Sequence, residues 1–151
     1  EYDDIIKDSP FLVNHLISLM QTHDFYMNKH IKRETEILPS QYYMLLFLYY
    51  EMCTNQSDIA KACLMDRSGV SRAFKDFEEK GLIVREIDEK NKRAYKITLT
   101  QKGIETSEFL IEKEKEWDDM ICEELDITRE DLLKLLSNIS LKSLEFNRNH
   151  F

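Results

Sequence analysis

Residues 56–103 read QSDIAKACLMDRSGVSRAFKDFEEKGLIVREIDEKNKRAYKITLTQKG. This stretch predicts, in order, a short helix, a turn, a second helix and two strands joined by a charged loop. The first helix is expected over residues 56–63, with Asn55 as its N-cap and Ile59, Ala60 and Cys63 on its inner face. Leu64 and Met65 then make the turn.

The second helix of this stretch has one apolar face. Asp66 is its expected N-cap, and Gly81 follows the last helical residue, Lys80, at the position where glycine commonly ends a helix. Val70, Phe74 and Phe77 recur at helical spacing and are expected to face the core.

The opposite face of this helix is short-chained and basic. Small residues permit close approach to a partner, and arginine can donate paired hydrogen bonds to guanine or to phosphate. Gly69 costs the helix about 1 kcal/mol relative to alanine, which indicates a close approach of the backbone. The face consists of Arg67, Ser68, Ser71, Arg72 and Lys75.

Two β-rich runs follow, at residues 82–87 and 94–99, and the loop between them carries Lys90, Lys92 and Arg93. A hairpin with a cationic tip next to a basic helix is typical of a winged helix-turn-helix. In this module one helix enters a DNA groove and the hairpin lies beside it.

Long helices are predicted on both sides of this module. Ser9 and Pro10 are a helix start, and apolar residues at helical spacing continue to about residue 34. Pro39 opens a second helix, whose run at 42–50 has no charge and is therefore expected in the core. Thr100 caps a helix to about residue 124, and Thr128 opens the last one.

The predicted fold class is mainly α with a small β-hairpin wing. Residues 37–103 are expected to form the winged helix-turn-helix domain, and residues 1–36 and 104–151 a helical dimerisation region. The long helices offer more apolar surface than the small module covers, and a homodimer is the simplest way to bury it.

Composition is compatible with this interpretation. The net charge of −8 argues against a nucleic-acid partner, but residues 55–103 carry eleven Lys or Arg and eight Asp or Glu, a balance of +3. The remainder has a balance of −11, so any contact with a polyanion is expected along one face only. Three cysteines, an odd and widely spaced set, argue against a disulfide framework and favour a cytoplasmic protein. No membrane span is predicted, because no apolar run approaches the roughly 20 residues that one needs.

The chain resembles the MarR family of transcriptional regulators. The resemblance is carried by LPSQYYMLLFL (38–48), NQSDIA (55–60), DRSGVSRAFKDFEEKGLIVRE (66–86) and the wing DEKNKRAYKITLTQKG (88–103). Two positions depart from the family pattern: Asn91 replaces an Asp that orients the wing-tip arginine, and Leu38 replaces a Thr N-cap.

The resemblance implies a two-fold dimer that reads a pseudo-palindrome in double-stranded DNA, with repression as the commoner outcome in the family. Base contacts and nearby phosphate contacts are then expected from Arg67, Ser68, Gly69, Ser71 and Arg72. Phosphate contacts are expected from Asn55, Gln56, Ser57, Lys75, Lys90, Lys92 and Arg93. Each of these cations could instead be an ordinary solvated surface charge.

The family also implies release from DNA by a small aromatic effector. The expected pocket residues are Tyr42, Tyr43, Phe47 and His15, with Tyr50 as a further candidate. These aromatic side chains could equally be core residues.

Other functions have less support in the sequence. His15, His23 and His30 lie on one side of the first helix, with neighbours about 11–12 Å apart, too far to share one metal ion. No phosphate loop, nucleophile elbow or paired metal motif is present, so neither a cofactor nor an enzyme is predicted. A winged-helix protein-interaction module and a redox- or metal-responsive regulator stay open as alternatives.

Overall fold

The computed structural model describes residues 6–51, 56–63, 65–87 and 95–150, with only the backbone of Tyr95 and His150. These residues form helices and one small antiparallel sheet, as the sequence predicts. The elements are α1 (Leu12–Glu34), a 3₁₀ turn (Pro39–Gln41), α2 (Tyr42–Tyr49), α3 (Gln56–Ala62), α4 (Arg67–Glu79), β1 (Ile83–Ile87), β2 (Tyr95–Leu99), α5 (Gln101–Leu125) and α6 (Arg129–His150).

The predicted bounds hold to within a few residues, with two corrections at helix starts. Ser9 does not cap α1: the N-cap residue is Phe11, without a side-chain hydrogen bond, and Ser9 Oγ instead accepts from Asn14 Nδ2 at 2.9 Å. Pro39 opens a 3₁₀ turn that leads into α2, rather than α2 itself. The missing Thr cap at Leu38 is offset, because Gln41 Oε1 accepts the Leu38 N–H at 2.8 Å.

The chain divides into two compact units, Glu1–Lys113 and Glu114–Phe151. The first unit holds the main core. Tyr42, Met44 and Leu45 of α2 are buried there, which confirms the expectation that the uncharged run forms a core helix. The inward face of α4 is confirmed as well, since Val70, Phe74 and Phe77 are fully buried.

The hairpin pairs β1 with β2 in antiparallel register, Ile83 opposite Leu99 and Ile87 opposite Tyr95. Ile97 and Leu99 pack against the core, whereas Lys96 and Thr98 are exposed, so the side chains of β2 alternate between core and solvent. The hairpin thus extends from the end of α4, and the loop that joins its strands lies outside the described residues.

The start of α5 is held close to the turn between α4 and β1. Gly81 ends α4 with φ +68°, as expected of the residue after a helix, and its carbonyl accepts from Thr100 Oγ1 at 2.6 Å. A Cβ at Gly103 would lie 2.1 Å from the Leu82 carbonyl oxygen, so only glycine fits there. This packing fixes the direction in which the chain leaves the hairpin.

Large apolar side chains are exposed in both units. In the first unit they lie along the N-terminal half of α1, where Leu12, Val13 and Met20 are each more than half exposed. In the second unit they lie along α6 and include Leu135, Leu141, Leu144 and Phe146. Within the described part of the chain, the helices are all too short or too polar to cross a membrane.

Candidate nucleic-acid interface

The N-terminus of α4 is organised by one carboxylate. Asp66 Oδ1 accepts hydrogen bonds from the Gly69 N–H at 2.5 Å and from Ser68 Oγ at 3.0 Å, which confirms Asp66 as the N-cap. The bond from the Gly69 backbone, followed by that from the Ser68 hydroxyl, holds the pKa of Asp66 below its ordinary value. The cap therefore stays ionised and fixes where the helix begins.

Two side chains of the protein itself leave little room for a Cβ at Gly69. A Cβ at this position would lie 3.1 Å from Asp66 Oδ1 and 3.1 Å from Met65 Cε. The glycine therefore gives room to the N-cap carboxylate. A close approach of DNA to Gly69 stays a prediction beside this intramolecular reason.

The outer face of α4 is open to solvent. The five side chains predicted to form it are all exposed, and Gly69 is half-buried among them. They cover the first two and a half turns of the helix, opposite the buried phenylalanines. The exposed set is Arg67, Ser68, Ser71, Arg72 and Lys75.

The C-terminal half of α4 is acidic, but each of its carboxylates has a cationic partner. Asp76 accepts from Lys80 Nζ at 2.6 Å, and Glu79 lies 3.7 Å from Lys75 Nζ. Glu78 pairs with the guanidinium of Arg85 on β1. The acidic end of the helix is thus largely neutralised by local pairs.

Arg67 and Arg72 differ in their surroundings from Lys75, the third cation of this face, which lies near Glu79. In the part of the chain that the structure describes, neither guanidinium lies within ion-pair distance of a carboxylate, although the charge of Arg72 is felt by Asp66. Both side chains are exposed. Their charge is therefore available to an anionic partner at the N-terminal half of α4.

Several side chains that the sequence analysis did not single out hold α4 in place. Gln41, only 4% exposed, donates from Nε2 to Asp76 Oδ2 at 2.7 Å and so joins the start of α2 to the middle of α4. Lys102 donates to the Lys80 carbonyl at 2.9 Å and to Glu36 Oε2 at 2.5 Å. These partners lie 22 to 66 residues apart in the chain, too far for a local sequence pattern to show.

The remaining predicted DNA contacts are only partly described. Gln56 and Ser57 are half-buried in the first turn of α3. Asn55 and the wing residues Lys90, Lys92 and Arg93, with Asn91 between them, lie outside the described residues. The structure therefore brings together the α4 part of the predicted site and leaves the wing part as a prediction.

A cavity of about 300 Å³ lies between α1 and the start of α2. It is lined by two of the four predicted pocket residues, Tyr42 and Tyr43. Phe47 instead packs against the core, and His15 Nε2 lies 3.1 Å from the Ser9 carbonyl oxygen; neither lines this cavity. The lining residues are Asp24, Met27, Asn28, Ile31, Pro39, Ser40, Tyr42 and Tyr43.

Two histidines of α1 lie near carboxylates of the same helix. His30 Nδ1 lies 2.9 Å from Glu34 Oε1, and His23 Nδ1 lies 3.5 Å from Asp24 Oδ1. Cys63 is half-buried against the core and Cys122 is buried, and neither forms a disulfide bond with another described cysteine. Among residues 6–51, 56–63, 65–87 and 95–150, no three His, Cys, Asp or Glu side chains are grouped as metal ligands would be.

Comparison with known proteins agrees with this architecture. Residues 36–94 match the model of the MarR family. A MarR transcriptional regulator from Methanosarcina mazei Go1 superposes with a TM-score of 0.77 at 24% identity, over 91% of this chain and 99% of that chain. The structure of MarR gives a TM-score of 0.76 at 23% identity, over 94% and 96% of the two chains.

A third similar structure is a MarR-family regulator from Listeria monocytogenes complexed with a 26mer DNA. Its TM-score is 0.75 at 19% identity, over 92% of this chain and 89% of that chain. No curated protein matches the sequence. The shared fold defines the class as winged helix-turn-helix proteins. Within it, residues 36–94 match the MarR family.

Proposed function

We propose that this chain is a sequence-specific DNA-binding regulator that acts as a homodimer on a pseudo-palindromic operator. The observation that carries the proposal is the exposed N-terminal half of α4, where Arg67 and Arg72 have no carboxylate partner among the described residues. The Listeria monocytogenes neighbour complexed with DNA supports it.

The proposed roles follow from the geometry of α4. Ser68 and Ser71 are short enough to let the helix enter a major groove, and Arg72 reaches base edges there. Lys75 already lies near Glu79 and lies further along the helix, so we assign it to phosphate. The wing residues Lys90, Lys92 and Arg93, with Asn55, Gln56 and Ser57, complete the proposed phosphate contacts.

The homodimer is supported by the exposed apolar side chains of each unit. Monomeric proteins rarely leave long apolar stripes open to water. Leu12, Val13 and Met20 on α1, and separately Leu141 and Leu144 on α6, leave such stripes uncovered. We therefore assign residues 1–36 and 104–151 to dimerisation and residues 37–103 to DNA. Two recognition helices would then read half-sites about 10 bp apart or a multiple of it.

We further propose that the regulator is a repressor that a small aromatic effector releases from DNA. The cavity lined by Tyr42 and Tyr43 supports this step, because it lies next to Gln41, whose amide is bonded to α4. A ligand that shifts the start of α2 would therefore shift the recognition helix.

An electrophoretic mobility shift assay with the DNA upstream of the protein's own gene tests the main proposal. Binding should weaken log-linearly with salt, because displaced counterions dominate the affinity. Absence of retardation at low salt would contradict DNA binding and favour a protein-interaction module.

Two substitutions test the assigned roles. Arg72→Ala should reduce the preference for operator over unrelated DNA by about 1–3 kcal/mol. Lys75→Ala should weaken all sequences alike and lower the salt slope by about 1. Lys134→Ala, which removes the same charge from an exposed position on α6, is the matched control and should change neither. An equal loss of preference in Arg72→Ala and Lys75→Ala would contradict the division into base and phosphate contacts.

Sedimentation velocity tests the dimer. Leu144 is 53% exposed in the single chain, so Leu144→Glu should disturb the folded protomer little but should shift the chain from dimer to monomer. Ser140→Glu places the same charge at an exposed polar position of the same helix and should leave the dimer intact. A monomeric wild type would contradict the dimer.

A further inference from the structure

We infer that the cavity between α1 and the start of α2 selects a small aromatic cation over an aromatic anion. The inference names the chemical class of the effector and so rests on the proposed function. It depends on three observations: the size of the cavity, the charge of its lining and the arrangement of its two tyrosines.

The size limits the ligand to one or two rings. A cavity of about 300 Å³ lies at the lower end of the range found for small-molecule sites, about 300–1,000 Å³. Met27 and Ile31, each 1% exposed, give it an apolar wall on α1. A flat aromatic ligand without a long side chain fits these dimensions.

The charge of the lining is negative. Asp24 is the one formally charged side chain among the described residues that line the cavity, and it is 59% exposed. The charge of Asp24 acts on a lining residue: the pKa of Tyr43 is raised, mainly by burial and to a lesser extent by the charge of Asp24. An anionic ligand would meet a like charge there.

A basic side chain lies near this carboxylate: His23 Nδ1 is 3.5 Å from Asp24 Oδ1. His23 is not part of the lining, and Asp24 is exposed, so a ligand cation can reach the carboxylate from the cavity.

The tyrosines add a second means of recognition. The rings of Tyr42 and Tyr43 lie 4.6 Å apart at an angle of 57°, so the cavity borders on two aromatic groups. Aromatic faces attract cations. Tyr43 is 49% exposed, so it is the more accessible of the two rings.

Three probes of similar size and different charge test the inference: 1-methylquinolinium, 2-naphthol and 2-naphthoate. Their affinities for the full chain are measured by titration calorimetry at pH 7.5. The cation should bind at least about fivefold more tightly than the anion, the upper range for a partly exposed charge pair. Equal or tighter binding of 2-naphthoate would overturn the inference, and so would failure of the cation to bind.

Substitution of Asp24 locates the effect. Asp24→Asn should weaken 1-methylquinolinium about fivefold and leave 2-naphthol unchanged, whereas Asp24→Glu, which keeps the charge, should retain the preference. Glu112→Gln removes one exposed carboxylate from α5 and is the matched control, expected to have no effect. If Asp24→Asn and Glu112→Gln behave alike, the cation does not depend on this cavity and the inference fails.

A DNA mobility shift assay on the same wild-type preparation distinguishes a failure of this inference from a failure of the proposed function. A protein that binds operator but not the cation keeps the proposed DNA-binding function and loses the inference. A protein that binds the cation but no DNA contradicts the proposed function, although the cavity would still select cations. If Asp24→Asn does not fold, the order of the three probes on wild type decides.

Discussion

Replacement of Gln41 by leucine should break the hydrogen bond that joins the start of α2 to α4, without opening a cavity. The Gln41 side chain is buried and forms two hydrogen bonds: Nε2 donates to Asp76 Oδ2 at 2.7 Å, and Oε1 accepts from the Leu38 N–H at 2.8 Å. Leucine has a similar volume, so the surrounding core should close around it with little rearrangement.

The expected loss can be worked out from these two bonds. A hydrogen bond to a charged acceptor contributes about 1.5–3 kcal/mol, and one between neutral groups about 0.5–1.5 kcal/mol. Asp76 keeps Lys80 at 2.6 Å and is partly open to water, and the leucine gains from burial, so much of this sum is recovered. We expect a net loss of about 2 kcal/mol, which lowers the melting temperature of a chain of this size by roughly 4–8 °C.

Urea and thermal unfolding at one fixed protein concentration measure this loss, because the stability of the proposed dimer would depend on concentration. Gln101→Leu is the matched control: Gln101 is exposed and, among the described residues, bonds to Glu105 at 3.1 Å, so the change should cost less than about 0.5 kcal/mol. If Gln41→Leu costs no more than Gln101→Leu, the bond to Asp76 does not hold α4 in place.

Three further predictions follow from other contacts. Gly103→Ala should destabilise the chain by about 3 kcal/mol in urea unfolding, because its Cβ would lie 2.1 Å from a backbone oxygen at Leu82. Asp76→Asn should flatten the acid dependence of stability: the Lys80 bond, opposed by burial and helped by Gln41, lowers the pKa of Asp76 below its ordinary 3.8. The unfolded chain therefore binds more protons, and wild type should lose stability as the pH falls from about 5 through that lowered pKa. Tyr42→Phe should raise the melting temperature by a few degrees, because it removes a buried hydroxyl that has no hydrogen-bond partner among the described residues and so stabilises the fold by about 1 kcal/mol.

Each of these predictions has a result that contradicts it. A Gly103→Ala variant as stable as wild type would show that α5 can move away from the hairpin at no cost. Parallel acid unfolding curves for wild type and Asp76→Asn, compared between pH 3 and 6, would mean that this carboxylate does not titrate differently in the folded state. A Tyr42→Phe variant less stable than wild type would show that the hydroxyl is bonded in solution.

The sequence predicted the parts of the fold that depend on neighbours in the chain. Asp66 and Thr128 were predicted as caps because a cap needs only a side chain and the N–H two or three residues later. The inward stripe of Val70, Phe74 and Phe77 was predicted because the helical repeat alone places those residues on one side. The exposed basic face of α4 follows from the same repeat.

Neighbouring residues in the sequence were less informative at Ser9 and at Gly69. Ser9 and Pro10 are a good helix start by composition, yet α1 begins later and Ser9 bonds to Asn14 instead. Gly69 indicated a close approach, but the sequence could not show that its nearest neighbours include the carboxylate of its own N-cap.

The sequence by itself therefore determined the order of the elements, the caps at Asp66 and Thr128, and the exposed basic face of α4. Only the tertiary structure decided which distant residues hold that face in place, as Gln41 does for Asp76 and Lys102 for Lys80. It also decided that Asp24 shares a cavity with Tyr42 and Tyr43, while Phe47 packs elsewhere. The physical reason is range: caps and helical faces depend on contacts within a few residues, whereas these pairs form only when the whole core brings separate helices together.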